Sequence, residues 1–320
     1  MNYEDAHRLA LLNPYRSVVR VFECDEDKIR VGIKNISSIP NTLMHKLEKT
    51  SFALHTIDKK SQLAGRAVDT ELINPISGRY MSGSSSGTAI NVFAGINDLG
   101  IGNDGGGSVL APAICLNILG FISKLIEEDR IQKLKVNTDG MTAGNSLGFM
   151  ARDRKILYKA IEDAIGIVPS QDTGIIFSDR NYEGIASKVV EMKDPLAPRK
   201  ELTSYLEDIL KDCDVLILSE GPVDLHGFGD SLFGHFDERT GQIQRDSGKG
   251  YLRVCNTANA TALAIPKKEF GCATLLVCES RKDKVARLLK AAQAFEDVHD
   301  ELIERYFLNV ESYFDKGYQV

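Results

Sequence analysis

The sequence predicts an α/β fold in which a mixed central β-sheet is covered by helices on both faces. Three observations predict it. Short runs that are apolar at nearly every position, TGIIFS at 173–178, DVLILS at 214–219, ATALAIP at 260–266 and CATLLVC at 272–278, suit strands buried on both sides. Segments with apolar residues every three or four positions alternate with those runs, which is the pattern of helices laid over a sheet. The composition, 43% apolar and 26% charged, is that of an ordinary globular chain with enough apolar sequence for a sizeable core. A length of 320 residues allows two domains or one large α/β unit, and we expect a single domain over 1–320.

The elements follow in order. SVVRVFE at 17–23 and IRVGIK at 29–34 read as two strands around the acidic turn CDEDK, the second ending on Lys34. TAINVFAGI at 88–96 reads as a buried helix of small and branched residues. AGINDLG is then the turn that leaves it. VLAPAICLNILGF at 109–121 reads as a second apolar helix, interrupted by Pro112. Amphipathic helices are expected at 124–134, 153–165, 182–192, 200–211 and 281–306. GPVDLHGFGDSLFGHF at 221–236 is the one Gly/Pro-rich stretch that reads as an ordinary mobile loop, and no internal repeat is visible.

Charge and cysteine usage exclude several functions. A net charge of −6 without a Lys/Arg stripe argues against nucleic acid and against an anionic membrane surface. The six cysteines form no C-x-x-C pair and read as small buried hydrophobes. MNYEDAHRLALLNPYR lacks the basic start and long apolar core of a signal peptide, and no apolar run reaches the roughly 20 residues that span a bilayer, so a cytoplasmic protein is expected. The loop at 221–236 holds Asp224, His226, Asp230 and His235, which are metal-ligand types; loop histidines are more often simply solvated, and we expect no metal and no cofactor.

Two glycine-serine runs carry the chemistry. SGSSSG occupies 82–87 and GNDGGGS occupies 102–108. Composition alone would make them linkers, but each leads directly into an apolar helix candidate, where linkers have polar flanks. Gly100, Gly102 and Gly105 spell the G-x-G-x-x-G of a dinucleotide site, which requires a strand immediately before it, and the turn read there argues against that use. The third reading is a serine nucleophile. Consecutive glycines ahead of a serine leave backbone N–H groups accessible to an oxyanion, as Gly105, Gly106, Gly107 and Ser108 do. A base is also required. The six histidines single none out.

At these residues the chain resembles the amidase signature hydrolases, which use a Ser-Ser-Lys triad. NPISGRYMSGSSSGTA followed by GIGNDGGGSVLAPAICLNILGF is similar to that family's signature, which reads GGSSGGSA and then GTDxGGSIRxPA. The family's bridging serine lies 24 positions before the nucleophile; 108 − 24 = 84, and position 84 is a serine. The resemblance implies Ser108 as nucleophile, Ser84 as the bridging serine at a cis peptide bond, and Lys34, in VGIKN, as the base. It further implies an oxyanion hole from Gly105, Gly106, Gly107 and Ser108, and substrate contacts from Ser85 and Asp104. Burial would have to bring the lysine down from its usual value of about 10.4 for it to accept a proton at neutral pH. The likeness is densest at 75–120 and extends weakly from about 17 to 297 through NSLGFMARDRKILYKAIEDAIG and YLRVCNTANATALAIPKKEFGCATLLV.

The chain also departs from the family. Only 50 positions separate Lys34 from Ser84 and the C-terminal region is reduced, which leads us to expect a compact enzyme with an open pocket. Asn35, Asn103, Ser86 and Leu110 replace the family's Asp, Thr, Gly and Arg, and the last leaves the role of Asp104 open. The resemblance implies hydrolysis of a carboxamide C–N bond in a small-molecule or peptide amide. Its alternatives are a glutamine-dependent amidotransferase subunit, or a catalytically degenerate member used for binding or as a scaffold. A homodimer or a partner subunit is possible on this reading, and an obligatory partner chain would favour the amidotransferase.

Overall fold

A computed structural model describes residues 1–61, 68–129, 134–136, 141–225 and 237–309. Its elements are α1 (Tyr3–Leu12), β1 (Val18–Val21), β2 (Ile29–Lys34), α2 (Asn41–Glu48), β3 (Phe52–Asp58), β4 (Val68–Ile73), β5 (Tyr80–Ser82), α3 (Ser86–Phe93), β6 (Leu99–Asp104), α4 (Leu110–Ile114), β7 (Leu119–Ser123), β8 (Lys135–Val136), β9 (Thr142–Ala143), β10 (Ser146–Ala151), α5 (Arg154–Ile165), β11 (Ile176–Ser178), β12 (Lys188–Val189), α6 (Arg199–Ile209), β13 (Val215–Glu220), α7 (Glu238–Arg245), β14 (Ala260–Pro266), β15 (Ala273–Glu279) and α8 (Lys282–Ala292).

One sheet of eleven strands runs in the order β1-β3-β2-β6-β10-β7-β14-β15-β13-β11-β12. It is mixed. β2 lies parallel to β3 and to β6, and β11 parallel to β12 and β13, while the central β10, β7, β14 and β15 pair antiparallel. The alternation of side chains along its strands explains why both faces are apolar. In β14, Ala260, Ala262 and Ala264 enter one core with α3, α4 and α6. Leu263 and Ile265 enter the other, with α2, α5 and α8. The expected α/β class with helices on both faces is therefore what the chain forms.

Several elements differ from the sequence reading. The turn expected over AGINDLG holds for 94–98, but Leu99 and Gly100 already belong to strand β6, whose Gly100 and Gly102 lie under α3: a Cβ at 100 would stand 2.6 Å from Thr88 Cγ2, and one at 102 would stand 2.8 Å from Ser85 Oγ. The apolar stretch 109–121 splits into α4 and β7, with Asn117 turning the chain in the left-handed region at φ +51°. Residues 124–129 form turns, and 130–133 of the helix expected there lie outside the described residues. No helix forms at 182–192; Val190 N–H donates to Ser178 O and β12 extends the sheet edge instead. The helix at 281–306 ends at Ala292, followed by a short turn at Glu301–Ile303 and a π turn at Glu304–Leu308. Among the described residues no helix is long and apolar enough to cross a membrane.

Gly148 in β10 shows how closely the centre is packed. A Cβ there would collide with Phe121 O and approach Ile122 Cγ2 to 2.9 Å. Gly148→Ala should therefore cost about 1–3 kcal/mol through overpacking, read as a lower midpoint in urea unfolding at unchanged slope.

Candidate active site

β2 and β6 run parallel as neighbours, so their C-terminal ends deliver Lys34 and the pair Asn103–Asp104 to one end of the sheet. Lys34 is 1% exposed. Its Nζ stands 2.6 Å from Ser84 Oγ and 2.7 Å from Asn103 Oδ1. Asn103 Nδ2 donates in turn to Ser38 Oγ at 3.3 Å. Both named partners of the amine are neutral side chains.

Ser84 lies in the turn between β5 and α3. Gly83, at φ +108°, makes that turn, and Ser86 clamps it by donating to Gly83 O from its N–H at 3.1 Å and from Oγ at 2.6 Å. The expected cis bond at Ser84 is absent: among the described residues the cis peptide bond is Gly221–Pro222. The left-handed glycine turns the chain where that bond was expected to. Ser84 O accepts from Ser61 N–H at 3.3 Å, and Ser85 N–H donates to Ser108 O at 3.2 Å, which ties the two serine segments together. Ser84 and Ser108 are both partly exposed. Ser108 Oγ makes no hydrogen bond among the described residues. Ser85 is fully buried with its Oγ pressed against Gly102, so its hydroxyl does not reach a substrate.

Asp104 holds the glycine loop from beneath. It is fully buried, and its carboxylate accepts from Gly107 N–H at 2.6 Å, Val109 N–H at 2.7 Å and Leu110 N–H at 3.4 Å. Asp104 therefore anchors the loop through backbone amides. Gly107 N–H is also removed from the expected oxyanion hole, because Asp104 already takes it. Gly105, Gly106 and Ser108 retain N–H groups with no acceptor among the described residues, and Gly105 and Gly106 are partly exposed.

Sequence reasoning missed the residues that fix this loop from outside. Asn256 Nδ2 donates to Gly105 O at 3.2 Å, while its Oδ1 accepts from Ser146 N–H, Ser146 Oγ and Lys124 Nζ at 2.7–2.8 Å. Glu220 accepts backbone N–H groups from Gly250 and, at 3.1 Å, Leu252. That turn lays Leu252 against Gly107, where any Cβ would collide with it. Asn256 sits inside the 251–277 segment whose likeness is visible in the sequence; nothing there distinguishes Glu220 from other strand-end acids.

A buried cluster ties the Ser84 segment to the 221–225 loop. Ser82 Oγ donates to Asp224 and receives Lys249 Nζ, Ser82 N–H donates to Asp224 Oδ2 at 3.0 Å, and Lys249 pairs with Asp224 at 3.8 Å. Asp224 thus belongs to a structural clamp. His226, Asp230 and His235 lie outside the described residues, and among the described residues no group of three His, Cys, Asp or Glu could hold a metal ion.

Two buried acids near the site titrate upward. Asp58, opposite Lys34 in the β2–β3 register, is pushed to about 7 by burial, although Thr56 Oγ1 and Asn91 Nδ2 each donate to it at 2.6 Å. Glu220 is pushed to about 7 by burial, against its backbone donors and the Arg253 charge.

Residues 70–168 match the family model described as Amidase. No curated protein matches the chain. Among solved structures, a glutamyl-tRNA(Gln) amidotransferase subunit from Thermotoga maritima superposes with a TM-score of 0.59 at 15% identity, covering 93% of each chain. Native peptide amidase from Stenotrophomonas maltophilia gives 0.59 at 12%, covering 93% of this chain and 95% of that one. An allophanate hydrolase from Kluyveromyces lactis gives 0.60 at 12%, covering 91% and 69%. At these identities the likeness is one of fold.

The raised acids set a pH dependence of stability. Each folded-state value lies above the ordinary carboxylate value, so the native state holds a proton that the unfolded chain releases. Their contribution to stability is greatest below about pH 4, falls as pH rises towards 7 and is flat beyond. Asp58→Asn and Glu220→Gln should each reduce the fall in unfolding free energy between pH 5 and pH 8, measured by urea titration at both.

Proposed function

We propose that this chain, whose residues 70–168 match the Amidase family model and whose fold is similar to that of amidases, hydrolyses a carboxamide C–N bond through an acyl-enzyme on Ser108. The observation that carries the reading is the buried Lys34 amine 2.6 Å from Ser84 Oγ, in a segment whose next residue is bonded to the carbonyl of Ser108.

Ser108 Oγ attacks the amide carbonyl carbon and passes its proton to Ser84 Oγ, whose own proton moves to the neutral amine of Lys34. The carbonyl oxygen becomes an oxyanion facing the N–H groups of Gly105, Gly106 and Ser108. Collapse of the tetrahedral intermediate breaks the C–N bond, and the proton on Lys34 returns through Ser84 to the departing amine. Water then enters on the same path, gives its proton to the relay and cleaves the Ser108 ester, releasing a carboxylic acid. The sequence of steps requires no metal or cofactor. The substrate is a small-molecule or peptide amide, and no observation at the site favours a role in amide transfer or as a scaffold.

Ser108→Ala and Lys34→Met should each lower kcat for amide hydrolysis by about 10³-fold or more while the proteins remain folded. Ammonia or amine release across a panel of primary amides, anilides and peptide amides is the assay, and undiminished turnover by Ser108→Ala overturns the reading.

A further inference from the structure

Asn103 stands near the C-terminal end of β6 and is 4% exposed. Its side chain bridges two groups in very different surroundings. Oδ1 lies 2.7 Å from Nζ of the buried Lys34, and Nδ2 donates to Oγ of the exposed Ser38 at 3.3 Å. Leu99 and Ile101 of the same strand enter the core with α2 and α5, and alternation along the strand puts Asn103 on their side. Gly100 and Gly102 lie under α3, the side from which the Ser84 turn arrives. The Lys34 amine is therefore met by Ser84 from one side of the sheet end and by Asn103 from the other.

A neutral amine carries two N–H groups and one lone pair, and a relay through Ser84 needs that lone pair on the Ser84 side. An amide oxygen can only accept, so contact with Oδ1 engages an N–H and leaves the lone pair unoccupied. The reversed amide would aim its NH2 donors at the nitrogen, an arrangement that the ammonium form, itself all donors, rejects each time the base is protonated. Ser38 Oγ holds the far end of the amide plane. The carboxylates at the neighbouring strand ends have donors of their own: Asp58 Oδ1 accepts from Thr56 and Asn91, and Asp104 accepts the loop amides.

We infer that Asn103 is the positioning residue of the base: its carbonyl oxygen takes one N–H of the Lys34 amine and turns the lone pair towards Ser84 Oγ, an inference that rests on the hydrolase reading of this site. In the forward step the Ser84 O–H bond breaks as a new N–H bond forms on Lys34, while Ser84 Oγ receives the proton of Ser108. Asn103 exchanges no proton. It acts through the lysine nitrogen, so its loss changes the chemical step and leaves binding of the amide alone. Asn103→Asp keeps the shape and changes the nature of the contact, because a carboxylate in that place favours the ammonium and withholds the base.

The experiment follows kcat, KM and the pH profile of amide hydrolysis. Asn103→Leu, which keeps the volume and removes the acceptor, should lower kcat by about 10- to 100-fold with KM within about 2-fold of the natural protein. Asn103→Asp should displace the rising limb of kcat/KM upward by about 1–3 pH units, with the rate recovering at high pH. A residue that merely supports the fold would lower the profile without displacing it. An undisplaced Asn103→Asp profile, or undiminished kcat in folded Asn103→Leu, overturns the inference. A second readout needs no turnover: nitrogen NMR of protein with isotopically labelled lysine follows the Lys34 amine, assigned by its loss in Lys34→Met, and Asn103→Asp should raise its titration midpoint by about 1–3 units. An unmoved midpoint overturns the contact itself. Absence of turnover with any amide, alongside a displaced midpoint, overturns only the hydrolase reading.

Discussion

The site depends on placing a lysine amine where water cannot reach it. β2 delivers Lys34 into the gap between the sheet end and the turn before α3, and the amine meets a serine hydroxyl and an asparagine oxygen there. Parallel pairing of β2 with β6 is what makes this arrangement compact, since the strand beside the lysine ends in Asn103 and Asp104 and continues directly into the glycine loop. Lys34, Asn103, Asp104 and the loop that leads to Ser108 therefore descend from two adjacent strand ends.

The loop itself is held from behind by buried groups. Asp104 fixes its underside through three amides, Asn256 holds Gly105 O, and Glu220 supports the turn that presses Leu252 onto Gly107. Donors aimed at a developing charge stabilise it only if they need not reorganise at the moment of reaction. Asp104 engages Gly107 N–H, while those of Gly105, Gly106 and Ser108 have no acceptor among the described residues. Here the sequence pattern and the chemistry diverge: four consecutive residues look equivalent in GGGS, and the carboxylate before them makes them unequal.

Much of the architecture is legible in the chain because burial on two faces leaves a mark. The apolar runs at 214–219, 260–266 and 272–278 form β13, β14 and β15, and the spacing between Ser84 and Ser108 points to two segments that the structure joins through Ser85 N–H and Ser108 O. What stays hidden has physical reasons. β6 is not announced because glycines carry no strand signal, yet Gly100 and Gly102 are required by the close approach of Thr88 and Ser85. The stretch 182–192 has helical spacing, but Val190 N–H is captured by Ser178 O at the sheet edge, and a tertiary hydrogen bond outweighs local periodicity. Glu220 acts through partners distant in sequence, and no local pattern announces it.

The most direct measurement is the rate at which a fluorophosphonate modifies Ser108 as a function of pH, in the natural protein and in Lys34→Met. The account predicts a rate in the natural protein that rises with pH and levels off, and a Lys34→Met rate lower by about 100-fold or more across the range. Coincident profiles for the two proteins would contradict it, since Ser108 would then lose its proton without the buried amine.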